Sequence, residues 1–479
     1  MRRSHISNRR EIAAWTCIVP ALLLAGCAIP PPKSVLPPVA VPDSYAATAS
    51  LETQTPAPWP SDGWWQGYRD PQLDGLIAEG LAGATDIRVA EARFERARAL
   101  AGEARSRLLP SITAGAEGGV IQQSNNYLFP PGFAPRGWPD YGQVSLGLNW
   151  ELDFWGKNRA ALTAARSQAQ AAGAEAAAAR LAVSAGVASA YADLAGLFYE
   201  RDAAQDAVKV RGQTHELMRG RKAQGLENDG AVERAASALE TAQGELAALD
   251  ETIALTRHRI AALLGAGPDR GLAIERPTLE TAGMVGLPAN IPAELIGRRP
   301  DIIAARLRAD ASDSQIRAAR AAFYPSINLT GLIGMQALGI DDVFNSGSDF
   351  GSVGPALTLP ILDGGRLRAQ YRGAESDYKA AVAQYDATLV QALREVADAA
   401  SSQQALGVRL ERARAAERAA NAAWTVANNR YRGGLATYLD VLVAEDGLIS
   451  TRRTVASLQT RAFALDVALV RALGGGFRY

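Results

Sequence analysis

Two stretches of this chain, residues 158–222 and 366–432, contain no proline and are rich in alanine. In the first, Val183, Val187, Tyr191, Leu194 and Phe198 recur at steps of three and four residues, the spacing of one helix face. A helix of roughly 65 residues, rising about 1.5 Å per residue, reaches nearly 100 Å. No globular domain buries a helix that long. Shorter helical runs flank each long one: 87–109 and 230–264 in the first half, 301–324 and 437–473 in the second. In each half the two short runs together approach the length of the long one, which suits a long helix packed beside two shorter ones stacked end to end. Within the last run, Val441, Leu448, Val455, Ala462 and Leu469 fall seven residues apart, a coiled-coil spacing.

The two halves repeat each other about 210 residues apart. Asp86-Ile87 returns as Asp301-Ile302. Ala104-Arg105 followed by Pro110-Ser111-Ile112 returns as Ala319-Arg320 followed by Pro325-Ser326-Ile327. Leu152-Asp153-Phe154-Trp155-Gly156-Lys157 returns, one residue shorter, as Leu362-Asp363-Gly364-Gly365-Arg366. Arg221 with Gly225-Leu226 returns as Arg430 with Gly434-Leu435. Four landmarks in one order indicate a duplicated unit.

Each unit also carries a pair of candidate strands. Val144, Leu146, Leu148, Trp150 and Leu152 alternate with Gln143, Ser145, Gly147, Asn149 and Glu151, which predicts a strand with one apolar and one wet face. Residues 112–120 alternate more weakly. The second half offers Ile327, Leu329, Ile333 and Met335, then Val353, Leu357, Leu359 and Ile361, with Pro355 inside the last strand as a missing ladder donor. Each segment has about 9–11 residues, the length that crosses a bilayer as a tilted strand. Four strands do not close a barrel with a lumen, and an open sheet edge in lipid leaves N–H and C=O groups without partners. Spanning strands therefore require several chains to share one barrel, and three chains supply twelve. A soluble half-buried hairpin in each half is the competing reading.

Lys+Arg and Asp+Glu are both 50, so no basic field points to nucleic acid. Arg2, Arg3, Arg9 and Arg10 precede an apolar run over 12–24 and the sequence Leu24-Ala25-Gly26-Cys27, which reads as a signal peptide over 1–26. Leu-Ala-Gly-Cys resembles the bacterial lipoprotein box. That resemblance implies cleavage before Cys27 and a covalent lipid on Cys27, and Ala28 in place of Asp favours the outer membrane. An ordinary secretory signal with an incidental Cys is the alternative. Cys17 lies in the signal, so the mature chain has no disulfide within itself. Residues 27–62 are proline-rich and read as an extended tether. No later segment reads as an apolar membrane-spanning helix.

The paired motifs at 152–157 and 362–366 and the run Arg298-Arg299-Pro300-Asp301-Ile302 resemble the TolC-type outer-membrane factors, in their lipoprotein branch. Trp64-Trp65, Asp70-Pro71-Gln72-Leu73, Gly354-Pro355 and Ala472-Leu473-Gly474-Gly475-Gly476 fit the same pattern. The resemblance covers nearly the whole mature chain. It implies a mainly α protein with membrane β: a homotrimer forming a 12-stranded outer-membrane β-barrel continuous with a long periplasmic α-helical barrel. It implies a tether at 27–62, a first repeat at 63–270 with its hairpin at 111–152, an equatorial linker at 271–296, and a second repeat at 297–479 with its hairpin at 326–362. Asp153, Gly156, Asp363 and Gly365 mark the strand-to-helix junctions. The implied partners are a periplasmic adaptor, an inner-membrane pump of the proton-driven RND class, and outer-membrane lipid.

The same resemblance implies a gate near the turn before the last helix. There the chain reads Arg430-Tyr431, Gly434, Leu439 and Leu442-Val443-Ala444-Glu445, with Val443 where the family has Asp. Asp440 lies about one turn earlier, so Leu439 and Asp440 are the candidate gate residues, and three Asp440 carboxylates would favour cations. A helix-terminal carboxylate with no gating role is the bland reading of Asp440.

No catalytic constellation is present. His215 and His258 lack a His or Cys partner at ligand spacing, and there is no Gly-Lys-Ser/Thr phosphate loop. The expectation is a passive conduit for small toxic compounds, with no enzyme activity, no metal and no cofactor beyond the lipid on Cys27. The alternatives are the outer-membrane channel of a type I protein secretion system and a periplasmic coiled-coil adaptor or scaffold. A lipoprotein hydrolase lacks its globular domain here.

Overall fold

The computed structural model describes residues 31–32, 34–41, 45–51, 57–124, 135–278 and 286–479. The elements are α1 (Pro71–Gly83), α2 (Thr85–Ser106), β1 (Ser111–Val120), β2 (Asp140–Leu152), α3 (Lys157–Ala223), α4 (Asp229–Leu263), α5 (Ile291–Arg298), α6 (Pro300–Ala321), β3 (Ser326–Leu338), β4 (Asp349–Thr358), α7 (Arg366–Arg432) and α8 (Tyr438–Ala472), besides short helical turns. The duplication is literal in the helices: α3 and α7 have 67 residues each, α4 and α8 have 35 each, and α2 and α6 have 22 each. Their ends follow local chemistry. Asn228 caps α4 and Thr437 caps α8. Gly225 and Gly434, at φ 71° and 74°, end α3 and α7 in the left-handed conformation. There Leu226 N–H bonds to Arg221 O and Leu435 N–H to Arg430 O, at 2.9 and 2.8 Å, which closes the helix C-terminus.

The chain separates into two compact units. The first comprises residues up to 39, 95–171 and 305–384. Its centre is one antiparallel sheet in the order β1-β2-β3-β4. The two hairpins are joined by β2 and β3, from Tyr141 opposite Leu338 to Leu152 opposite Ile327. Pro355 sits in β4, an edge strand, where a strand proline is tolerated. β4 ends at Thr358 rather than running on through Ile361. Pro360, two residues on, has no N–H to extend a ladder. Beside the sheet, Ile316, Phe323, Leu367 and Tyr371 form a core on which Leu36 packs, and Tyr378 O–H donates to Pro37 O at 3.2 Å. The proline-rich segment thus touches the body of this unit at 36–37.

The second unit comprises 40–94, 172–304 and 385–479. Its main core gathers Leu73, Leu76 and Ile77 of α1 with Val187, Tyr191 and Leu194 of α3, Ile260 of α4 and Phe463 of α8. A buried carboxylate pins α1 in place. Asp70 Oδ1 accepts from Gln72 N and Leu73 N, at 2.9 and 3.2 Å, and its Oδ2 accepts from Tyr191 O–H at 2.8 Å and Thr278 N at 3.1 Å. Four donors explain how a carboxylate 1% exposed survives in this core. Arg299 does similar work near the end of α8, donating to Asp301, Glu395 and Ala472 O. One expectation fails by composition: α3 is long and apolar enough to cross a membrane. Its apolar window is mostly buried, because alanine faces pack closely against neighbouring helices.

Candidate functional site

The sheet sorts its side chains by parity. One face carries Ile112, Val144, Leu146, Leu148, Trp150, Ile327, Leu329, Ile333, Met335, Val353 and Leu357, aligned by register across all four strands. Ile112, Ile333, Val353 and Leu357 are 62–78% exposed. The other face carries Thr113, Glu117, Gln143, Ser145, Asn149, Glu151, Asn328, Thr330 and Thr358, with Leu332, Leu338 and Phe350 as apolar exceptions. An apolar face that leaves this many large side chains open has no water-compatible explanation within one copy and fits acyl chains. Among the described residues β1 and β4 each pair along one side only, so both rims of the sheet are open.

Where the sheet meets the helices, both junctions use the same device. Asp153 accepts from Asn158 N at 3.1 Å and Arg159 N at 2.8 Å, and Gly156 takes φ 76°. Asp363 accepts from Gly365 N at 3.0 Å and Leu367 N at 2.8 Å, with Gly364 and Gly365 both left-handed. The Leu367 N–H, ahead of the other contributions, holds the Asp363 carboxyl below its ordinary range. Aromatic side chains gather at this end. Trp155 stacks on Tyr324 at 4.9 Å and donates its indole N–H to Pro325 O at 2.8 Å, while Trp150 donates to Leu108 O at 3.1 Å. Half-exposed tryptophans beside an apolar band match a membrane interface.

In the second unit, the turns after α3 and α7 lie together. Met218, Ala231, Ala235, Tyr431, Tyr438 and Val441 form one small core. Tyr431 O–H donates to Glu227 Oε1 at 2.8 Å, and the Arg221 guanidinium covers the Tyr431 ring at 4.6 Å. Burial pushes the Tyr431 hydroxyl well above its ordinary pKa. One turn further along α8, Glu445 is 1% exposed. It accepts from Thr214 O–H at 3.2 Å, with Arg211 Nε at 4.0 Å, and burial pushes its carboxyl up.

The sequence-derived gate residues occupy different settings. Leu439 is 65% exposed, as is Val443 one turn later. Asp440 closes a capping box: its Oδ2 accepts from Thr437 N and Thr437 O–H, both at 2.8 Å. The Thr437 hydroxyl, then the Thr437 N–H, hold the Asp440 carboxyl below its ordinary range, so it stays ionised. The capping box was legible as Thr-x-x-Asp before an apolar run. The Tyr431–Glu227 tie was not, because it joins residues 204 apart. Cys27 lies outside the described residues. Among the described residues no group of His, Cys, Asp and Glu is placed to hold a metal ion.

A family model described as outer membrane efflux protein matches residues 76–266 and 291–475. The Fusaric acid resistance protein FusA of Burkholderia cepacia is 36% identical over 372 residues, 76% of this chain and 69% of that protein. The Multidrug resistance outer membrane protein MdtP of Escherichia coli K12 is 30% identical over 446 residues, 88% of this chain and 87% of that protein. The crystal structure of the outer membrane protein VceC of Vibrio cholerae superposes with a TM-score of 0.83 at 44% identity, covering 88% of this chain and 100% of that one.

Proposed function

We propose that this chain, which belongs to the outer membrane efflux protein family, supplies one third of a closed barrel and of the helical duct continuous with it. It is an outer-membrane efflux channel. The observation that carries the proposal is the sheet with an exposed apolar face and two open rims. In hydrocarbon each unpaired backbone group costs several kcal/mol, so β1 of one copy must pair with β4 of the next. Three copies give twelve strands. The 67-residue helices and their stacked companions form the wall of the periplasmic duct. Native mass spectrometry of the protein in mild detergent tests this: three copies are expected, and a monodisperse monomer overturns it.

The channel conducts passively, and a periplasmic adaptor and a proton-driven inner-membrane pump of the RND class supply selection and energy. The absence of a phosphate loop from the sequence supports a conduit that does not energise transport itself. The names of the relatives, which speak of resistance to fusaric acid and to many drugs, support small toxic compounds over exported protein as cargo. Leu439 narrows the closed tip, and the ionised Asp440 gives it an acidic rim.

Cys27 carries the lipid anchor. Leu36 packs against the cluster of Ile316, Phe323, Leu367 and Tyr371, whose Phe323 lies three residues before β3 begins, and nine extended residues span at most about 32 Å. That reach supports acyl chains on Cys27 entering the bilayer beside the barrel. Intact-mass analysis of the membrane-extracted protein should show an acylated chain starting at Cys27, and Cys27→Ser should remove the acyl mass.

A further inference from the structure

The polar face of the sheet carries a charge that closure leaves standing. The four strands contain Glu117, Asp140, Glu151 and Asp349 and neither Lys nor Arg. Asp140 and Asp349 fall on the parity of the apolar face, at the sheet's far end. Glu151 faces the polar side and is neutralised by Lys157 Nζ at 2.5 Å. Glu117 also faces the polar side, opposite Gln143, and among the described residues no cation pairs with it. Its Oε1 instead accepts the Tyr141 O–H at 2.8 Å. The Tyr141 ring reaches it by lying over Gly119, where an added Cβ would approach the ring to 3.2 Å. The pair is therefore built: a glycine clears the floor, a tyrosine crosses it, and the carboxylate is held at the face.

We propose that three Glu117 carboxylates, one per copy, form a ring on the barrel wall that favours cationic over anionic cargo. The inference rests on the closed-barrel reading. A second copy cannot cancel the charge, because the strand it lays along β1 is its own β4. The positions of β4 on that side are Phe350, Ser352, Gly354, Ala356 and Thr358, all uncharged. A twelve-stranded barrel has a backbone radius of about 12 Å, which leaves each carboxylate roughly 8 Å from the axis. With water between them and a Debye length of ~30 Å at 10 mM salt, three charges enrich a monovalent cation on the axis about sevenfold. The enrichment falls to about threefold at 0.1 M and nearly vanishes at 1 M, where the Debye length is ~3 Å.

The test is the reversal potential of the purified full-length channel in planar bilayers of zwitterionic lipid under a KCl gradient. It is measured in the natural background and in Asp440→Asn, which removes the other proposed acidic ring. At about 10 mM salt, Glu117→Gln should lower the potassium-to-chloride permeability ratio two- to fivefold in both backgrounds, with the difference fading toward 1 M. Glu117→Asp should keep the preference, and Glu117→Arg should reverse it. A Glu117→Gln channel that conducts with an unchanged ratio at low salt in both backgrounds overturns the ring and leaves the conduit standing. A protein that inserts without forming any pore overturns the barrel reading itself.

Discussion

Tyr431→Phe removes one oxygen and nothing else from the cluster that holds the two hairpin turns together. The lost bond runs from the Tyr431 hydroxyl to Glu227 Oε1 at 2.8 Å. The phenyl ring would still pack against Tyr438 and Met218 and lie under Arg221. A buried hydrogen bond to a carboxylate contributes about 1.5–3 kcal/mol. Glu227 is partly solvated, so about 1 kcal/mol per copy is the better figure. If three copies open together, the penalties sum to about 3 kcal/mol, a shift of roughly 150-fold toward the open tip. A tip open about 0.1% of the time would then be open more than a tenth of it. Single-channel recording reads this as open probability, and cells carrying the variant should become sensitive to large hydrophilic antibiotics. Glu227→Ala should act alike, and the double variant should add little, because both changes delete one bond. A Tyr431→Phe channel with natural open probability, or fully additive single effects, would refute the latch.

The same geometry sets three more outcomes. Asp153→Ala strips two N–H groups at the start of α3 of their acceptor and should lower stability by about 1–2 kcal/mol, read as a fall in Tm, whereas Asp153→Asn should lose less. Asp440→Ala should both fray the start of α8, seen as faster amide exchange at 438–441, and reduce cation preference; unchanged exchange removes the capping role. Burial raises the Glu445 carboxyl above its ordinary 4.5, so the native state favours the neutral form. That contribution is fully present below about pH 4.5 and is lost as pH rises through the raised native value. Natural protein should therefore melt below Glu445→Gln at pH 8 and converge with it near pH 4.5, and parallel Tm–pH curves would show that Glu445 does not titrate in this way.

The long helices were readable to within a residue or two, at Lys157–Ala223 and Arg366–Arg432, because alanine-rich runs without proline have few competing structures. α1 and α5 were not identified as helices. They have 13 and 8 residues, and α1 contains three glycines, so packing rather than periodicity fixes them. Alternation gave the apolar face of β2 but not its neighbour, since parity is silent about which strand lies alongside. The docking of Leu36 was invisible for a related reason: proline-rich composition reports backbone stiffness, not the surface a single leucine will meet. At the candidate gate, sequence singled out Leu439 and Asp440 together, while the partition between Leu439, left exposed, and Asp440, drawn back to Thr437, depends on packing that spacing does not report.

The sheet has one consequence for how copies choose their number. Chain order and spatial order coincide, β1 through β4, so every copy begins on an up-stroke and finishes on a down-stroke. Such a panel fits antiparallel against a duplicate whether two, three or four stand in the circle. Strand polarity therefore casts no vote on stoichiometry, and the decision falls to the helices. Because the outermost strands have 10 residues and the inner two 13, a joint between panels has at most ten rungs, as many as β1–β2 or β3–β4 and fewer than the twelve between β2 and β3. The firmest seam of each panel is therefore its middle, where the two halves of the duplicated chain meet.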